Sequence, residues 1–297
     1  MSPWQEVGDG CFRRRYREFD LNIGVIRGSD ALLVLDTRAD LRQADELLRE
    51  LVRFGRPVRW VVNSHWHFDH TFGNQRFVEA ARGDGQPDAA AVADGVELWG
   101  HRDLPEQLLG DELQLRADLR ARFGDEAGDE YDRVDLTAPD HLVTERATLD
   151  LGDRGVELVH FGRGHTGNDL VVTVPSAGVV FAGDLLEESA PPAFGDDCFP
   201  LEWPETAGAL VAAGGAVYVP GHGDVMGTDA AREQSCDLAS VALLIRELFD
   251  AGVPAAGALH EAADRWPYPT DALVEAVVRG YAALTDAPGG RGRLEGS

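Results

Sequence analysis

The hydrophobic positions of this chain fall into short runs rich in Val, Ile and Leu, separated by turn residues and by stretches with helical spacing. Runs this short predict buried strands. In the first half, strands are predicted at Ile23–Arg27, Ala31–Asp36, Val58–Asn63 and Val96–Gly100. In the second half, they are predicted at Thr148–Leu151, Val156–Phe161, Leu170–Val174, Gly178–Ala182 and Ala216–Val219.

Stretches with helical spacing alternate with these runs. Helices are predicted at Leu41–Phe54, which Gly55 ends, and at Pro105–Phe123, Asp229–Ala251 and Asp271–Thr285. The segments Ala80–Asp94 and Gly124–Asp140 are predicted to be a surface loop and an irregular acidic stretch. Helices and strands mixed in both halves predict an α/β protein with layers around a sheet core.

Composition limits the partners and the compartment. Lys plus Arg is 27 against 52 Asp plus Glu, a formal charge of −25, which repels a phosphate backbone, so nucleic acid is not an expected partner. No apolar run approaches the roughly 20 residues that span a bilayer, and no membrane association is expected. The N-terminus shows no secretory pattern, and Cys11, Cys198 and Cys236 are widely spaced. We therefore expect a cytoplasmic protein with reduced thiols.

Residues 65–70 read His-Trp-His-Phe-Asp-His, so that four possible metal ligands fall within six positions: His65, His67, Asp69 and His70. Imidazole and carboxylate groups together suit zinc, iron or manganese. The motif follows an apolar strand, and a helix is predicted to open after it with Thr71 as its cap. A ligand loop held between a strand and a helix is preorganised.

Three further candidate ligands, His165, Asp184 and His222, each follow an apolar strand and stand beside glycines. Strand ends and their loops are where ligands collect in layered α/β proteins. Four loops would then supply seven ligands, which is enough for two cations.

The ordered motifs His-x-His-x-Asp-His, Gly-His-Thr-Gly, Gly-Asp after an apolar strand and Pro-Gly-His resemble those of the metallo-β-lactamase superfamily. The resemblance implies a four-layer αβ/βα sandwich with metals at one edge. It also implies a single domain of this type, expected over residues 1–285. The Gly- and Arg-rich C-terminal residues 286–297 are expected to form a flexible tail. Asp36 matches the superfamily's first motif, an aspartate near the metal loop.

The same resemblance implies how the ligands are shared between two divalent cations, with zinc as the first expectation and iron or manganese as alternatives. His65, His67 and His165 would hold one metal, and Asp69, His70 and His222 the other. Asp184 would bridge them.

Two cations roughly 3.5–4 Å apart can share a water and lower its pKa toward neutrality. The chain is therefore expected to be a metal-dependent hydrolase. A metal-bridging hydroxide would attack the ester, thioester, lactone or lactam bond of a small-molecule substrate. Asp69 is expected to orient the bound water as well as to bind metal, and Asp184 is the second catalytic candidate. A serine or cysteine nucleophile is not required.

Other functions stay open at this stage. The common zinc β-lactamases carry cysteine where Asp184 stands and are exported, and glyoxalase II carries a C-terminal glutathione-binding motif that is absent here. Persulfide dioxygenases share several motifs but use one iron, at positions resembling His65, His165 and Asp184. A non-catalytic binding protein with a vestigial site is the third alternative, and metal quantitation separates the three.

The segment Leu185–Pro204 directly follows Asp184. It could wall the pocket with apolar side chains while its acidic residues repel anions, or it could be an ordinary surface loop. The first possibility favours a neutral or partly apolar ester, thioester or lactone.

Overall fold

The structure is a computed structural model of the 297-residue chain and describes residues 3–83 and 91–286. The first sheet has seven strands that are adjacent in chain order. They are β1 (Gln5–Gly8), β2 (Cys11–Arg15), β3 (Asn22–Arg27), β4 (Leu32–Leu35), β5 (Val58–Val62), β6 (Val92–His101) and β7 (His141–Val143). Pairing is antiparallel from β1 to β4 and parallel from β4 to β7.

The second sheet is built from the second half of the chain, again with strands adjacent in chain order. Its strands are β8 (Arg146–Asp150), β9 (Gly155–Val159), β10 (Val171–Val174), β11 (Val179–Glu187), β12 (Val217–His222) and β13 (Met226–Gly227). The pair β11–β12 is parallel, whereas the others are antiparallel.

Helices cover the outer faces of the two sheets. They are α1 (Leu41–Leu51), α2 (Phe68–Thr71), α3 (Asn74–Arg82), α4 (Leu104–Gly110), α5 (Glu112–Phe123), α6 (Asp125–Tyr131), α7 (Trp203–Ala213), α8 (Thr228–Asp250), α9 (Ala255–Glu261) and α10 (Val274–Asp286). In the described ranges, no helix is both long and apolar enough to cross a bilayer.

The period-two alternation of the strands explains the layers. In β4, Leu33 and Leu35 pack between the two sheets, while Leu32 and Val34 pack against α1 and α3. In β11, Phe181 faces the first sheet, and Val180 faces the helices α7 to α10. Because both faces of each sheet are covered, the strands read as continuous apolar runs. The predicted four-layer αβ/βα sandwich is confirmed.

Three predictions in the first half are wrong in detail. The segment Ala80–Asp94 is not one loop, because α3 continues to Arg82 and β6 begins at Val92; residues 84–90 lie outside the described residues. The predicted helix Pro105–Phe123 is interrupted at Asp111, whose carboxylate accepts a hydrogen bond from the backbone N–H of Gln114 and starts α5.

The acidic stretch Gly124–Asp140 contains α6 instead of being irregular throughout. The reason is Arg120, whose guanidinium bonds Asp125, Asp129 and Asp132 and so offsets the repulsion among these carboxylates. The C-terminal tail prediction lies outside the described residues except for Asp286, the last residue of α10.

Candidate metal centre

The seven predicted ligands lie together at one edge of the sandwich, and we call them the cage: His65, His67, Asp69, His70, His165, Asp184 and His222. Those of the first motif follow β5 and enter α2. His165 follows β9, Asp184 lies within β11, which runs further than predicted, and His222 is the last residue of β12. Both sheets therefore contribute to one site.

The metal-binding loop is fixed to its surroundings by its backbone. The carbonyl of His70 accepts hydrogen bonds from the N–H and the hydroxyl of Thr37 and from the amide of Asn63, at 2.9–3.1 Å. The prediction that Thr71 caps the following helix is wrong. Thr71 is the last residue of α2, and its hydroxyl donates to the carbonyls of Trp66 and His67.

His65, His67 and His165 form the imidazole trio. His67 Nδ1 lies 3.0 Å from His65 Nε2 and 2.9 Å from His165 Nε2. Donor atoms this close, all within 4.8 Å of one another, can share one cation.

Asp69, His70 and His222 form the mixed trio, whose donor atoms also lie within 4.8 Å of one another. Asp69 Oδ2 lies 3.6 Å from His70 Nε2 and 3.7 Å from His222 Nε2. This trio offers a second cation a carboxylate and two imidazoles.

Asp184 lies between the two trios and is 6% exposed. Its Oδ2 is 3.5 Å from His165 Nε2 and 3.2 Å from His222 Nε2, and its Oδ1 is 3.4 Å from His70 Nε2. One carboxylate thus faces both trios, which is the geometry that a bridging ligand would need.

The outer ring nitrogen of each cage histidine contacts an acceptor. His70 Nδ1 donates to Asp36, His165 Nδ1 to the Ala193 carbonyl and His222 Nδ1 to the Phe19 carbonyl, at 2.7–2.9 Å. The outer nitrogens of His65 and His67 contact the Ser64 hydroxyl and the Asp197 carboxylate. With a proton on each outer nitrogen, the inner nitrogens are left bare to bind metal.

The residues present fit metal ions by a further observation. His70 Nε2 and Asp184 Oδ1 are buried and have no hydrogen-bond partner among the described residues. Buried polar atoms are normally satisfied, and both of these atoms point into the cage. A cation would satisfy both.

Electrostatics divide the cage into two parts. Burial lowers the pKa of His165 to about 4 and that of His65 well below its usual value, so these two rings are uncharged near neutrality. Burial also opposes protonation of His67, but the Asp197 carboxylate outweighs it and raises the His67 pKa. Burial also opposes protonation of His70, but the nearby Asp184 and Asp69 carboxylates outweigh it and raise the His70 pKa to about 9. The region of the mixed trio therefore attracts positive charge, whether a proton or a metal.

Several residues that support the cage carry no motif in the sequence. Asp197 accepts hydrogen bonds from Trp66 Nε1 at 2.7 Å and from His67 Nε2 at 3.2 Å. The Ser64 hydroxyl lies between Asp36 and His65. These roles depend on side-chain directions that a linear motif does not contain. Asp36 does lie beside the metal loop, as its motif predicted.

The remaining histidines lie outside the cage. Buried His101 packs against His160 with ring centroids 4.2 Å apart, and His141 stacks on Trp99. His260 is exposed on α9. The three cysteines are free, with Cys11 and Cys198 buried and Cys236 exposed.

The segment Leu185–Pro204 contacts the outer ring nitrogens of two cage histidines. Its carbonyl at Ala193 and its carboxylate at Asp197 hold two cage histidines. Its apolar residues Phe194 and Trp203 pack in the buried cluster under α7 and α8, so they do not wall an open pocket.

The sequence profile of the metallo-beta-lactamase superfamily matches residues 16–235, a span that includes the whole cage and Asp36. The chain belongs to this superfamily.

The relatives with similar sequences carry the names of two different activities. Over 98 residues the chain is 30% identical to "Metallo-beta-lactamase type 2" of Bacteroides fragilis. This alignment covers 32% of this chain and 39% of that protein. Over 205 residues it is 27% identical to the acyl-coenzyme A thioesterase MBLAC2 of Bos taurus and 26% identical to that of Homo sapiens. Each of these alignments covers 63% of this chain and 67% of the relative.

Solved structures share the fold at low identity. The crystal structure of the metallo-beta-lactamase FIM-1 from Pseudomonas aeruginosa in the mono-zinc form matches with a TM-score of 0.60 at 17% identity, covering 81% of this chain and 96% of that one. A metallo-beta-lactamase from Pontibacter korlensis matches with a TM-score of 0.56 at 19% identity, covering 80% and 99%.

Proposed function

We propose that this protein is a dinuclear metal-dependent hydrolase of small-molecule esters or thioesters. The observation that carries the proposal is the placement of Asp184 between two complete trios of donors, with all five histidines presenting an inner nitrogen to the cage. The thioesterase names of the longer-matching relatives favour a thioester as the first substrate to test.

Two divalent cations in the cage would supply Lewis acidity and lower the pKa of a coordinated water toward neutrality. The chain's own contribution is to hold the ligands in fixed positions and to shield most of them from bulk solvent. Asp69, whose side chain is 10% exposed, lies at the edge of the cage, where its carboxylate can orient the attacking water. Asp36, Ser64 and Asp197 fix the histidine rings, so that little reorganisation is needed during the reaction.

No side chain nucleophile competes with this route among the candidates near the cage. The Ser64 hydroxyl is buried and donates to Asp36, and the Ser189 hydroxyl donates to Glu187. Burial raises the pKa of Cys198 to about 12, so its reactive thiolate is scarce. The alternative of a persulfide dioxygenase with one iron would leave Asp69, His70 and His222 without a role. Their donor atoms nevertheless lie within 4.8 Å of one another.

The test combines metal quantitation with a substrate screen. Protein purified without added metal should carry up to two metals per chain, lose activity on chelation and regain it with metal. The screen compares thioesters with esters, lactones and phosphodiesters. Asp69→Ala should lower turnover by orders of magnitude, with a smaller effect on KM. Asp196→Ala, an exposed acid in the supporting segment, is the matched control. A required uptake of dioxygen, or trapping of an acyl-enzyme, would overturn the proposal.

A further inference from the structure

Glu187 lies at the end of β11, and nothing in the proposed reaction uses it. Its side chain is buried, with the residue 5% exposed. Its carboxylate belongs to a set with Asp184 and His222 whose donor atoms all lie within 4.8 Å of one another. The mixed trio therefore has a carboxylate neighbour that no motif in the sequence identified.

The backbone of Glu187 is fixed relative to the cage. In the parallel pair β11–β12 it stands opposite His222, and the N–H of Glu188 donates to the His222 carbonyl at 3.2 Å. The buried side chain of Gln234, on α8, accepts from the N–H of Glu187 at 2.9 Å and donates to its carbonyl. The Glu187 side chain therefore starts from a rigid position beside the mixed trio.

The charge of Glu187 has no adequate partner in the described part of the chain. The Ser189 hydroxyl is the sole hydrogen-bond donor to its carboxylate there, at 3.0 Å, and no arginine forms an ion pair with it. His222 is the nearest candidate cation, but its Nδ1 donates to the Phe19 carbonyl and its Nε2 faces Asp184. Once His222 binds metal, it is neutral. A buried carboxylate is costly unless a positive charge compensates it, and a metal in the mixed trio would supply that charge.

We propose that Glu187 is a direct ligand of the cation held by the mixed trio. This inference rests on the dinuclear site of the proposed function. With Glu187 added, that cation would be held by the carboxylates of Asp69, Glu187 and Asp184 together with two imidazoles. Oxygen-rich sites suit manganese, whereas the imidazole trio suits zinc. The two positions would therefore prefer different metals, with Mn²⁺ or Fe²⁺ in the mixed trio.

The experiment uses the full chain stripped of metal, given one equivalent of Zn²⁺ and then titrated with Mn²⁺. Free Mn²⁺ is followed by its electron paramagnetic resonance signal. Wild-type protein should bind one Mn²⁺ per chain. Glu187→Gln should bind Mn²⁺ at least about tenfold more weakly, since even the partners of metal ligands are worth about 10–100-fold. Its Zn²⁺ affinity should stay unchanged.

Two controls separate ligation from a structural role. Glu188→Gln alters the exposed neighbouring carboxylate, which accepts from the Asp224 N–H, and should bind Mn²⁺ like the wild type. Ser189→Ala removes the hydroxyl that contacts Glu187 and should weaken Mn²⁺ binding less than Glu187→Gln does, because the ligand itself remains. If Ser189→Ala weakens Mn²⁺ binding as much as Glu187→Gln does, Glu187 acts through that hydrogen bond and the inference is overturned.

Other outcomes are equally decisive. Two metals bound with equal affinity in the wild type and in Glu187→Gln would refute the Glu187 assignment alone. A wild-type chain that binds fewer than two metals would refute the dinuclear function itself. Should Glu187→Gln fail to fold, Glu187→Asp keeps the charge but shortens the reach, and it should show the same selective loss of Mn²⁺.

Discussion

The outer ring nitrogens of the cage histidines contact acceptors from segments far apart in the chain. Asp36 holds His70, whereas a loop carbonyl at Ala193 holds His165. Each contact fixes both the ring orientation and the position of the proton, which leaves the inner nitrogen as a lone-pair donor. At the scale of single residues, we therefore expect metal affinity to depend on these acceptors as well as on the ligands themselves.

Asp36→Asn tests this dependence at the mixed trio. The Asp36 carboxylate accepts from His70 Nδ1 at 2.8 Å and from the Ser64 N–H and hydroxyl at 2.7 and 2.8 Å. Its backbone φ is +65°, a value that asparagine tolerates. The variant should fold but bind the second metal about 10–100-fold more weakly, as measured by competition with a chromophoric chelator. Asp229→Asn, exposed at the start of α8, is the control. Unchanged affinity in Asp36→Asn would contradict the orienting role.

The candidate ligands could be predicted from the sequence because four of them are local and the others follow apolar strands. Glu187 and Asp197 could not be predicted in the same way. Both stand in a segment without a motif, and their roles arise from the approach of β12 and of the metal loop, which are distant in sequence.

The parallel pair β11–β12 is the element that brings Asp184 and His222 together. The two strands pass so closely here that a Cβ added at Gly221 would lie 1.8 Å from Asp184 Oδ1. Glycine is required at this position for space, since only a bare backbone leaves room for the Asp184 carboxylate.

Gly221→Ala should therefore displace Asp184 and lower the metal content below two per chain. Overpacking of this kind costs typically about 1–3 kcal/mol of unfolding free energy. Elemental analysis and urea unfolding measure the two effects. Gly227→Ala, in the adjacent strand β13, meets no heavy atom within 4 Å and should leave both unchanged. Full metal content in Gly221→Ala would show that Asp184 can move without loss of the bridge.

Elements were predicted well where both faces of a strand are buried, as in β4 and β5, because the apolar run is then continuous. The N-terminal strands β1 and β2 and the helix α7 were not predicted. Strand β2 contains Arg13, Arg14 and Arg15, whose charges hide its pattern in the sequence, although Arg13 pairs with Asp224 and Arg14 with Glu50. Ion pairing across the fold cannot be read from one segment.

At the scale of the whole molecule, the two sheets also meet away from the cage. His101, the last residue of β6 in the first sheet, packs against His160, which follows β9 in the second. Burial, and then the neighbouring His160, lower the pKa of His101 to about 4. Protonation of this ring is therefore unfavourable as long as the two sheets stay packed.

This contact predicts acid sensitivity. The folded-state pKa of His101 lies below the unfolded value of about 6.5. The free energy of unfolding that depends on a neutral His101 is therefore complete above pH 6.5 and is lost as the pH falls toward 4. The loss should reach at most about 3 kcal/mol. The free energy of unfolding of metal-free protein, measured in urea at pH 7 and at pH 4.5, should differ less between the two pH values in His101→Gln than in the wild type. The exposed His260→Gln should match the wild type; an equal pH dependence in all three proteins would argue against His101.

Both sheets are formed from strands in unbroken chain order, one from each half of the chain. During synthesis, the first half of the chain leaves the ribosome while the strands of the second sheet are still being made. At that stage four donors of the first motif are present, but Asp184 and His222 are not. A metal captured then would meet an incomplete set of ligands. We therefore expect correct metal loading to follow translation of β12, and cells with excess free zinc to produce more misloaded protein.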